Sequence, residues 1–227
     1  ISGKGFSAEG EWWLGRLMNG TGVLEFEDAI RNGTWVNGKM EGYGETVFDD
    51  GSLYCGEYQA NAPHGDGVRH FLNGNIYVGE WKNGFSDGVG TQTSTKNLTA
   101  HGEWRRGKLY NGHGAIEWPG GLIYNGTWVR GLMHGYGEYF NPKTGFYRGG
   151  YQKGKEHGIG TRIYTDGAKY VGEWYRGQKH GKGEYSMVEG YAHRGIWYDG
   201  KFTNGSGIMK FSGTMLNGTW VNGRMEG

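Results

Sequence analysis

Short segments in which aromatic residues and glycine alternate with polar or β-branched residues recur along the whole chain. In the segment Tyr170–Trp174, Tyr, Gly and Trp occupy every second position, and Val and Glu lie between them. Because side chains of a β-strand point alternately to the two faces of a sheet, this pattern predicts a strand whose rings and glycine share one face. A turn over residues 175–180 is expected next, and then a second strand that begins at the Gly-x-Gly pair Gly181 and Gly183. Each such segment therefore predicts a β-hairpin, and no window has the periodicity of a long helix.

The hairpin pattern repeats with a nearly constant period. Aligned on the glycine two residues before Trp174 and its equivalents, successive copies lie 23 residues apart, with one step of 24. These reference glycines are Gly10, Gly33, Gly56, Gly79, Gly102, Gly126, Gly149, Gly172, Gly195 and Gly218. The residue two positions later is Trp in eight copies and Tyr in two, Tyr58 and Tyr151. The sequence thus predicts one repeat array over residues 10–227 with an incomplete last repeat, after a partial repeat at 1–9. We expect the chain to be a piece of a longer protein.

The composition indicates that glycine and aromatic residues together form the core. The chain has 49 Gly among 227 residues, and 15% of its residues are aromatic. Glycine within a strand weakens it and marks the close approach of another group. We expect that group to be an aromatic ring of an adjacent strand, which lies over the missing side chain. The prediction is an all-β fold, a single-layer antiparallel β-meander of consecutive hairpins in which each repeat is stabilised by its neighbours.

Tyr77–Gly84, followed by Gly88 and Gly90, resembles the MORN repeat (membrane occupation and recognition nexus), as does Tyr170–Gly183. The period matches, and the resemblance covers nearly the whole chain. Residues 97–100 lack the closing glycine and the leading Tyr, which is also replaced at Arg31, His193 and Leu216. The resemblance implies an elongated, twisted and curved solenoid-like sheet with an aromatic-lined groove. It also implies a family of cytoskeletal scaffolds, ciliary components, membrane-tethering proteins, and modules attached to lipid kinases or SET-domain methyltransferases.

Four histidines occupy one equivalent position, just before the Gly-x-Gly pair: His64, His134, His157 and His180. Equivalent positions lie two strands apart, roughly 9–10 Å, whereas zinc ligands lie at about 2 Å from the metal. We therefore interpret these histidines as turn residues that cap local backbone groups. The single cysteine, Cys55, provides neither a disulfide framework nor a cysteine-based zinc site, which favours a reduced intracellular setting.

The carboxylates that follow the reference glycines, such as Glu80 and Glu173, are separated by the same repeat distance. They do not form an acid/base pair, and we expect them to solvate the face opposite the rings. The sequence contains no nucleophile-and-base signature and no phosphate-binding loop. We therefore expect no catalytic residues, no metal site and no cofactor.

Charge is unevenly distributed, although the formal net charge is only +1. Residues 1–78 contain 5 Lys or Arg and 11 Asp or Glu, a net charge of −6, whereas residues 79–183 contain 15 and 8, a net charge of +7. The basic residues of this middle region are expected in turns, where they could contact anionic lipid headgroups or simply solvate the surface. These candidates are Arg105, Arg106, Lys108, Arg130, Lys153, Lys155, Arg176 and Lys179. Nucleic acid is not expected, because the aromatic rings belong to the core.

The preferred hypothesis is a non-catalytic scaffold that binds protein partners along the aromatic groove, in a cytoskeletal or ciliary assembly. The groove candidates are Tyr77, Trp81, Trp104, Tyr124, Trp128, Tyr147, Tyr170 and Trp174. A homodimer or end-to-end assembly through the terminal strands is also expected, because unpaired sheet edges invite pairing. One alternative is a membrane-apposed module that contacts anionic phospholipids through the basic turns, and another is a targeting module of a larger enzyme. The expected location is cytoplasmic, at the cytoskeleton or cilium, or peripheral at a membrane in the first alternative.

Overall fold

The computed structural model describes residues 7–211 and 213–226, and the regular structure of these residues consists of strands joined by turns. The predicted partial repeat at residues 1–9 lies mostly outside this range. The strands are β1 Ala8–Trp13, β2 Arg16–Glu25, β3 Ala29–Val36, β4 Lys39–Phe48, β5 Leu53–Gln59, β6 Ala62–His70, β7 Ile76–Lys82, β8 Phe85–Thr93, β9 Thr99–Arg105, β10 Lys108–Trp118, β11 Leu122–Val129, β12 Leu132–Asn141, β13 Gly145–Gln152, β14 Lys155–Ile163, β15 Lys169–Tyr175, β16 Gln178–Ser186, β17 Ala192–Tyr198, β18 Lys201–Phe211, β19 Thr214–Val221 and β20 Arg224–Glu226.

The chain divides into two compact units, residues 1–112 and residues 113–227. In the first unit, β1 to β9 pair consecutively and antiparallel, each strand with the next in sequence. In the second unit, β11 to β20 pair in the same way. The predicted all-β meander of consecutive hairpins is therefore confirmed within each unit.

The turn within each repeat is shorter than the sequence pattern predicts. In the hairpin of β15 and β16, only Arg176 and Gly177 form the turn, with φ of 52° and 89°, and β16 already begins at Gln178. Two residues with positive φ are characteristic of the type I′ turn, whose twist matches that of the flanking strands. The predicted six-residue turn at 175–180 is therefore wrong. Where the turn glycine is absent, Asn61 takes its place with φ of 73°, as its tolerance of positive φ predicts.

In the repeat of β7 and β8, the two glycines of the Gly-x-Gly pair have different structural roles. The pairing of β7 with β8 shifts register after Gly79, so that the first glycine, Gly88, lies in a bulge with φ of +116°. The carboxylate of Glu80 accepts a hydrogen bond from the backbone N–H of Val89 at this bulge, at 2.7 Å. The carboxylate of Glu173 accepts the equivalent hydrogen bond from the backbone N–H of Lys182 in β16, at 3.0 Å. These carboxylates thus bind the backbone of the bulge, besides solvating their face.

In the five repeats that carry the leading Tyr, the second glycine of the pair lies beneath that tyrosine ring. A Cβ atom at Gly90 would lie 2.1 Å from the Oη atom of Tyr77, and one at Gly183 would lie 2.2 Å from that of Tyr170. The ring belongs to the leading Tyr of the preceding strand, β7 or β15. The expectation that rings occupy the space of missing side chains is confirmed at these glycines, and this contact forms the core of the sheet.

Candidate partner-binding surfaces

The buried aromatic rings form a ladder of edge-to-face contacts along each unit. In the first unit, the ring of Tyr77 lies 5.3 Å from that of Trp81 in its own strand and 5.3 Å from that of Trp104 in the next repeat. In the second unit, Tyr170 contacts Trp174 and Trp197 in the same way, both at 5.2 Å. Such geometry matches the positive edge of one ring to the negative face of another, and contributes about 0.5–1.5 kcal/mol per pair beyond burial.

The polar atoms of this ladder are largely satisfied by backbone carbonyls. The Nε1 atom of Trp104 donates to the carbonyl of Gly90 at 3.0 Å, and the hydroxyl of Tyr77 donates to the carbonyl of Glu80 at 3.2 Å. Burial raises the pKa of the Tyr124 phenol to about 12, so its hydroxyl remains protonated and donates to the carbonyl of Thr127 at 3.1 Å. Hydrogen bonding and packing together hold each ring in one place.

The predicted groove residues all belong to this ladder. They are Tyr77, Trp81, Trp104, Tyr124, Trp128, Tyr147, Tyr170 and Trp174, and each is exposed by 7% or less. Rings buried to this extent offer little surface to a partner, because neighbouring rings and backbone already cover them. The structure places all eight in the core, and partner contact through them stays a prediction.

The predicted basic turn residues separate into two groups. Arg106, Arg130, Lys153 and Arg176 occupy the first position of two-residue turns, with φ between 46° and 53°. The prediction of a turn position is wrong for the others, because the turns are short: Arg105 ends β9, Lys108 begins β10, Lys155 begins β14 and Lys179 lies within β16. Arg105 is also engaged, 2.7 Å from the carboxylate of Glu103 and 3.7 Å from the ring centre of Tyr110.

Lys179 lies on the ladder face and not at the solvent edge. Its ammonium nitrogen is 4.4 Å from the ring centre of Trp197 and 4.8 Å from that of Tyr185. Burial lowers the pKa of Lys179, because the charged form loses hydration. Alignment of the repeats could have predicted that Lys179 lies on the ladder face, because the equivalent residues Met40 and Leu109 are apolar. Both are buried in the structure.

The four equivalent histidines lie in strands, so the prediction that they are turn residues is wrong. His180 in β16 has ring contacts with Tyr175 at 5.5 Å and with Tyr198 at 5.3 Å. His157 in β14 contacts Tyr175 from the other side, at 5.3 Å. Among the described residues, no group of three His, Cys, Asp or Glu side chains is arranged to hold a metal ion.

The face opposite the ladder carries exposed apolar side chains that the sequence analysis missed. In the second unit, Tyr136 in β12 is 62% exposed and Ile159 in β14 is 68% exposed. Both are the middle residue of a Gly-x-Gly pair, and the exposed residues Val171 and Ile196 lie on the same face. We call this surface of Tyr136, Ile159, Val171 and Ile196 the outer apolar surface. The alternation of side chains along a strand could have predicted this surface, because it places the middle residue of each Gly-x-Gly pair on the face opposite the rings.

A shallow cavity of about 560 Å³ adjoins this surface in β15, β16 and β17. Val171 and Ile196 contribute its apolar lining, and Lys182 adds a charge. Glu184 and Arg194, which form an ion pair, complete the charged rim. The surface thus combines exposed apolar side chains with charges of both signs.

The family model of the MORN repeat matches seven segments that together cover more than half of the chain: residues 32–53, 54–76, 77–99, 124–143, 147–169, 170–190 and 217–227. The chain belongs to the MORN-repeat family. The resemblance seen in the sequence is thereby confirmed. Residues 191–216, which contain His193 in place of the leading Tyr, lie outside the matches, yet this MORN-repeat protein forms the hairpin of β17 and β18 there.

Other comparisons add little to this assignment. Curated proteins yield no match. Among solved structures, one match is the SAS-4 (dCPAP) TCP domain in complex with a proline-rich motif of Ana2 (dSTIL) of Drosophila melanogaster. It is 12% identical, covers 78% of this chain and 83% of the other, and has a TM-score of 0.26. Within the residues that the structure describes, no helix has the length and apolar character needed to cross a membrane.

Proposed function

We propose that this MORN-repeat chain is a non-catalytic scaffold that binds protein partners in a cytoskeletal or ciliary assembly. The MORN repeat is a non-catalytic repeat module, consistent with an interaction role. The observation that carries the proposal is the outer apolar surface of the second unit. Exposed apolar side chains that share one face and are bordered by charged side chains are usual in protein-binding sites.

The regular spacing of this surface suits a partner segment that crosses several strands. Tyr136 and Ile159 hold equivalent positions two strands apart, a separation of roughly 9–10 Å. Glu173 lies opposite Ile159 in the pairing of β14 with β15, so a charged side chain borders the apolar row. A partner with apolar residues at a matching interval would cover both side chains and leave the charges at the rim, the usual arrangement of an interface.

The test is affinity capture from an extract of ciliated cells, with wild-type chain and with a Tyr136→Glu/Ile159→Glu variant as bait. We expect wild type to recover cytoskeletal or ciliary proteins and the variant to lose at least about tenfold of that recovery, since charges replace the apolar contacts. Both side chains are exposed, so stability should change by no more than about 0.5 kcal/mol. Recovery that is unchanged in the variant would contradict a partner site at the outer apolar surface.

A second candidate function, binding of an anionic membrane surface, is favoured by one observation. Arg130, Lys153 and Arg176 occupy the same turn position in successive repeats of the second unit. Each basic residue near an anionic membrane contributes about 1 kcal/mol to binding, so three together would contribute about 3 kcal/mol. A Lys153→Glu/Arg176→Glu variant should lose sedimentation with phosphatidylserine vesicles at low salt. If wild-type chain fails to sediment with these vesicles, this candidate is excluded.

The two double variants control each other. The outer-surface variant should retain vesicle binding if the turns carry it, and the turn variant should retain protein capture if the outer surface carries that. Two further interpretations stay predictions. Self-association through the terminal strands can be tested by light scattering after size-exclusion chromatography. Attachment to a catalytic domain can be tested with the full-length sequence.

A further inference from the structure

Among the residues that the structure describes, the ladder contains one buried hydroxyl without a hydrogen-bond partner. Eight repeats have Trp two residues after the reference glycine, and the Nε1 atoms of several, such as Trp174, donate to a glycine carbonyl of the preceding repeat. The two Tyr at this position cannot reproduce that bond. The hydroxyl of Tyr58 instead bonds the hydroxyl of Thr46, whereas that of Tyr151 finds no partner among the described residues. Tyr151 is only 5% exposed, and a buried hydroxyl without a hydrogen-bond partner is uncommon in folded proteins.

The difference follows from the residue that each Tyr faces in the preceding repeat. Thr46 lies 13 residues after its reference glycine Gly33, and Tyr139 holds the same position after Gly126. Tyr139 in the second unit therefore takes the place of the short hydroxyl side chain that bonds Tyr58 in the first. Leaving a buried polar group without a hydrogen bond is costly, so such a group marks a candidate site for a partner from outside the chain.

Tyr151 lines a cavity of about 330 Å³ at the turn edge of the ladder face in the second unit. We call it the Tyr151 cavity, and its other lining side chains are Met133, Tyr139, Lys155, Glu156 and Arg176. A water molecule occupies about 30 Å³ in the liquid, so this space accommodates a side chain of a partner with its backbone.

The charges around the Tyr151 cavity sum to an excess of positive charge. Glu156 lies opposite Tyr151 in the pairing of β13 with β14, but its carboxylate forms an ion pair with Arg162. The Nε atom of Arg162 is itself buried and, within the described part of the chain, has no hydrogen-bond partner. Lys155 and Arg176 add two further positive charges to the lining. The positive charges of Lys155 and Arg176 therefore favour binding of an acidic group in this cavity, next to the unpaired hydroxyl of Tyr151.

We propose that the Tyr151 cavity binds a carboxylate side chain, Glu or Asp, from an acidic segment of a partner protein. The Tyr151 hydroxyl is buried in the free chain, so its ring must tilt towards the cavity to donate a hydrogen bond to the carboxylate. Lys155 and Arg176 supply positive charge, and the methylene groups of the ligand pack against Met133. The cavity lies on the ladder face, opposite the outer apolar surface, so this inference does not depend on the proposed function.

Binding of a fluorescein-labelled polyglutamate peptide to the full chain, followed by fluorescence anisotropy, tests this inference. Wild-type chain should bind polyglutamate and not a polyglutamine peptide of equal length. The Tyr151→Phe variant should bind polyglutamate about tenfold more weakly or worse, because a hydrogen bond to a charged acceptor is lost. Tyr58→Phe, the equivalent change in the first unit, is the matched control and should bind like wild type.

Unfolding of the free variants adds a second readout. Tyr151→Phe should leave the urea midpoint unchanged or raise it, because it removes an unpartnered hydroxyl, whereas Tyr58→Phe should lower it. Absence of polyglutamate binding would overturn the inference, as would equal affinity of Tyr151→Phe and wild type. Displacement of the peptide by inorganic phosphate at a comparable concentration would overturn the choice of a carboxylate ligand.

Discussion

The substitution Gly90→Ala tests whether the tyrosine ring is the reason for glycine at this position. The three atoms nearest to a Cβ at Gly90 all belong to Tyr77: Oη at 2.1 Å, Cζ at 2.4 Å and Cε2 at 2.8 Å. Tyr77 is 1% exposed, so its ring has no open space into which to move. Either the ring or the strand must shift by about 1 Å to restore an ordinary contact distance.

The magnitude follows from what this shift disrupts. The hydroxyl of Tyr77 loses good geometry with the carbonyl of Glu80, which costs about 1 kcal/mol. Its edge-to-face contacts with Trp81 and Trp104 are each worth about 0.5–1.5 kcal/mol. We therefore expect Gly90→Ala to lower the free energy of unfolding by about 2–4 kcal/mol, measured by urea unfolding and near-ultraviolet circular dichroism.

A double-mutant cycle separates the ring contact from other effects of the added methyl group. In a Tyr77→Leu background, the Oη, Cζ and Cε2 atoms are absent, and Gly90→Ala should cost less than half of its cost in the wild type. Backbone strain does not enter this comparison, because Gly90, unlike Gly84 with φ of +83°, is not among the glycines with φ in the left-handed region. An equal cost of Gly90→Ala in the two backgrounds would refute the argument that the ring requires glycine.

Two further predictions concern polar atoms of the ladder. Trp104→Phe should lower the free energy of unfolding by about 1 kcal/mol more than Trp35→Phe, because only Trp104 donates an Nε1 hydrogen bond, to the carbonyl of Gly90. Equal urea midpoints for these two variants would contradict this. Alkaline pH should destabilise the fold, because burial raises the pKa of Tyr124 to about 12, above its ordinary value of about 10. The contribution of protonated Tyr124 to the free energy of unfolding is complete below about pH 10. It decreases by about 1.4 kcal/mol per pH unit between about pH 10 and about pH 12. Circular dichroism should therefore show that the stability of Tyr124→Phe falls less steeply over this range than that of the wild type.

The strands and their pairing were predictable because the signals are local and repeated. Tyr170, Gly172 and Trp174 share one face in any extended strand, and each of the repeats carries the same alternation. The length of the turn was not predictable from glycine alone. Its first residue, Arg176 or Lys153, is not glycine but still has φ near 50°, which is uncommon for such residues. The pattern therefore indicated a longer turn, and Lys179 was assigned to solvent although it contacts the rings.

The candidate surfaces were less predictable than the fold. Alternation assigns Ile159 to the face opposite the rings, but it does not reveal whether a second layer covers that face. The rings themselves were predicted to form the binding surface, because glycine contacts alone do not cover an aromatic face and a long apolar groove marks a binding surface. The close packing of Tyr77 between Trp81 and Trp104 depends on contacts between repeats, which a single-repeat pattern does not contain.

The ladder also explains how one repeat can present different chemistry at a fixed spacing. Gly67 pairs with Gly79, and Gly160 pairs with Gly172, so the backbone register is the same around Asp66 and Ile159. Both are the middle residue of a Gly-x-Gly pair, yet one is an acid and the other is apolar. Because glycine and ring contacts on the opposite face fix the strand, the middle side chain is free to vary without loss of the core. Each repeat therefore contributes one variable side chain per roughly 9–10 Å, and we expect a partner to recognise the order of these side chains.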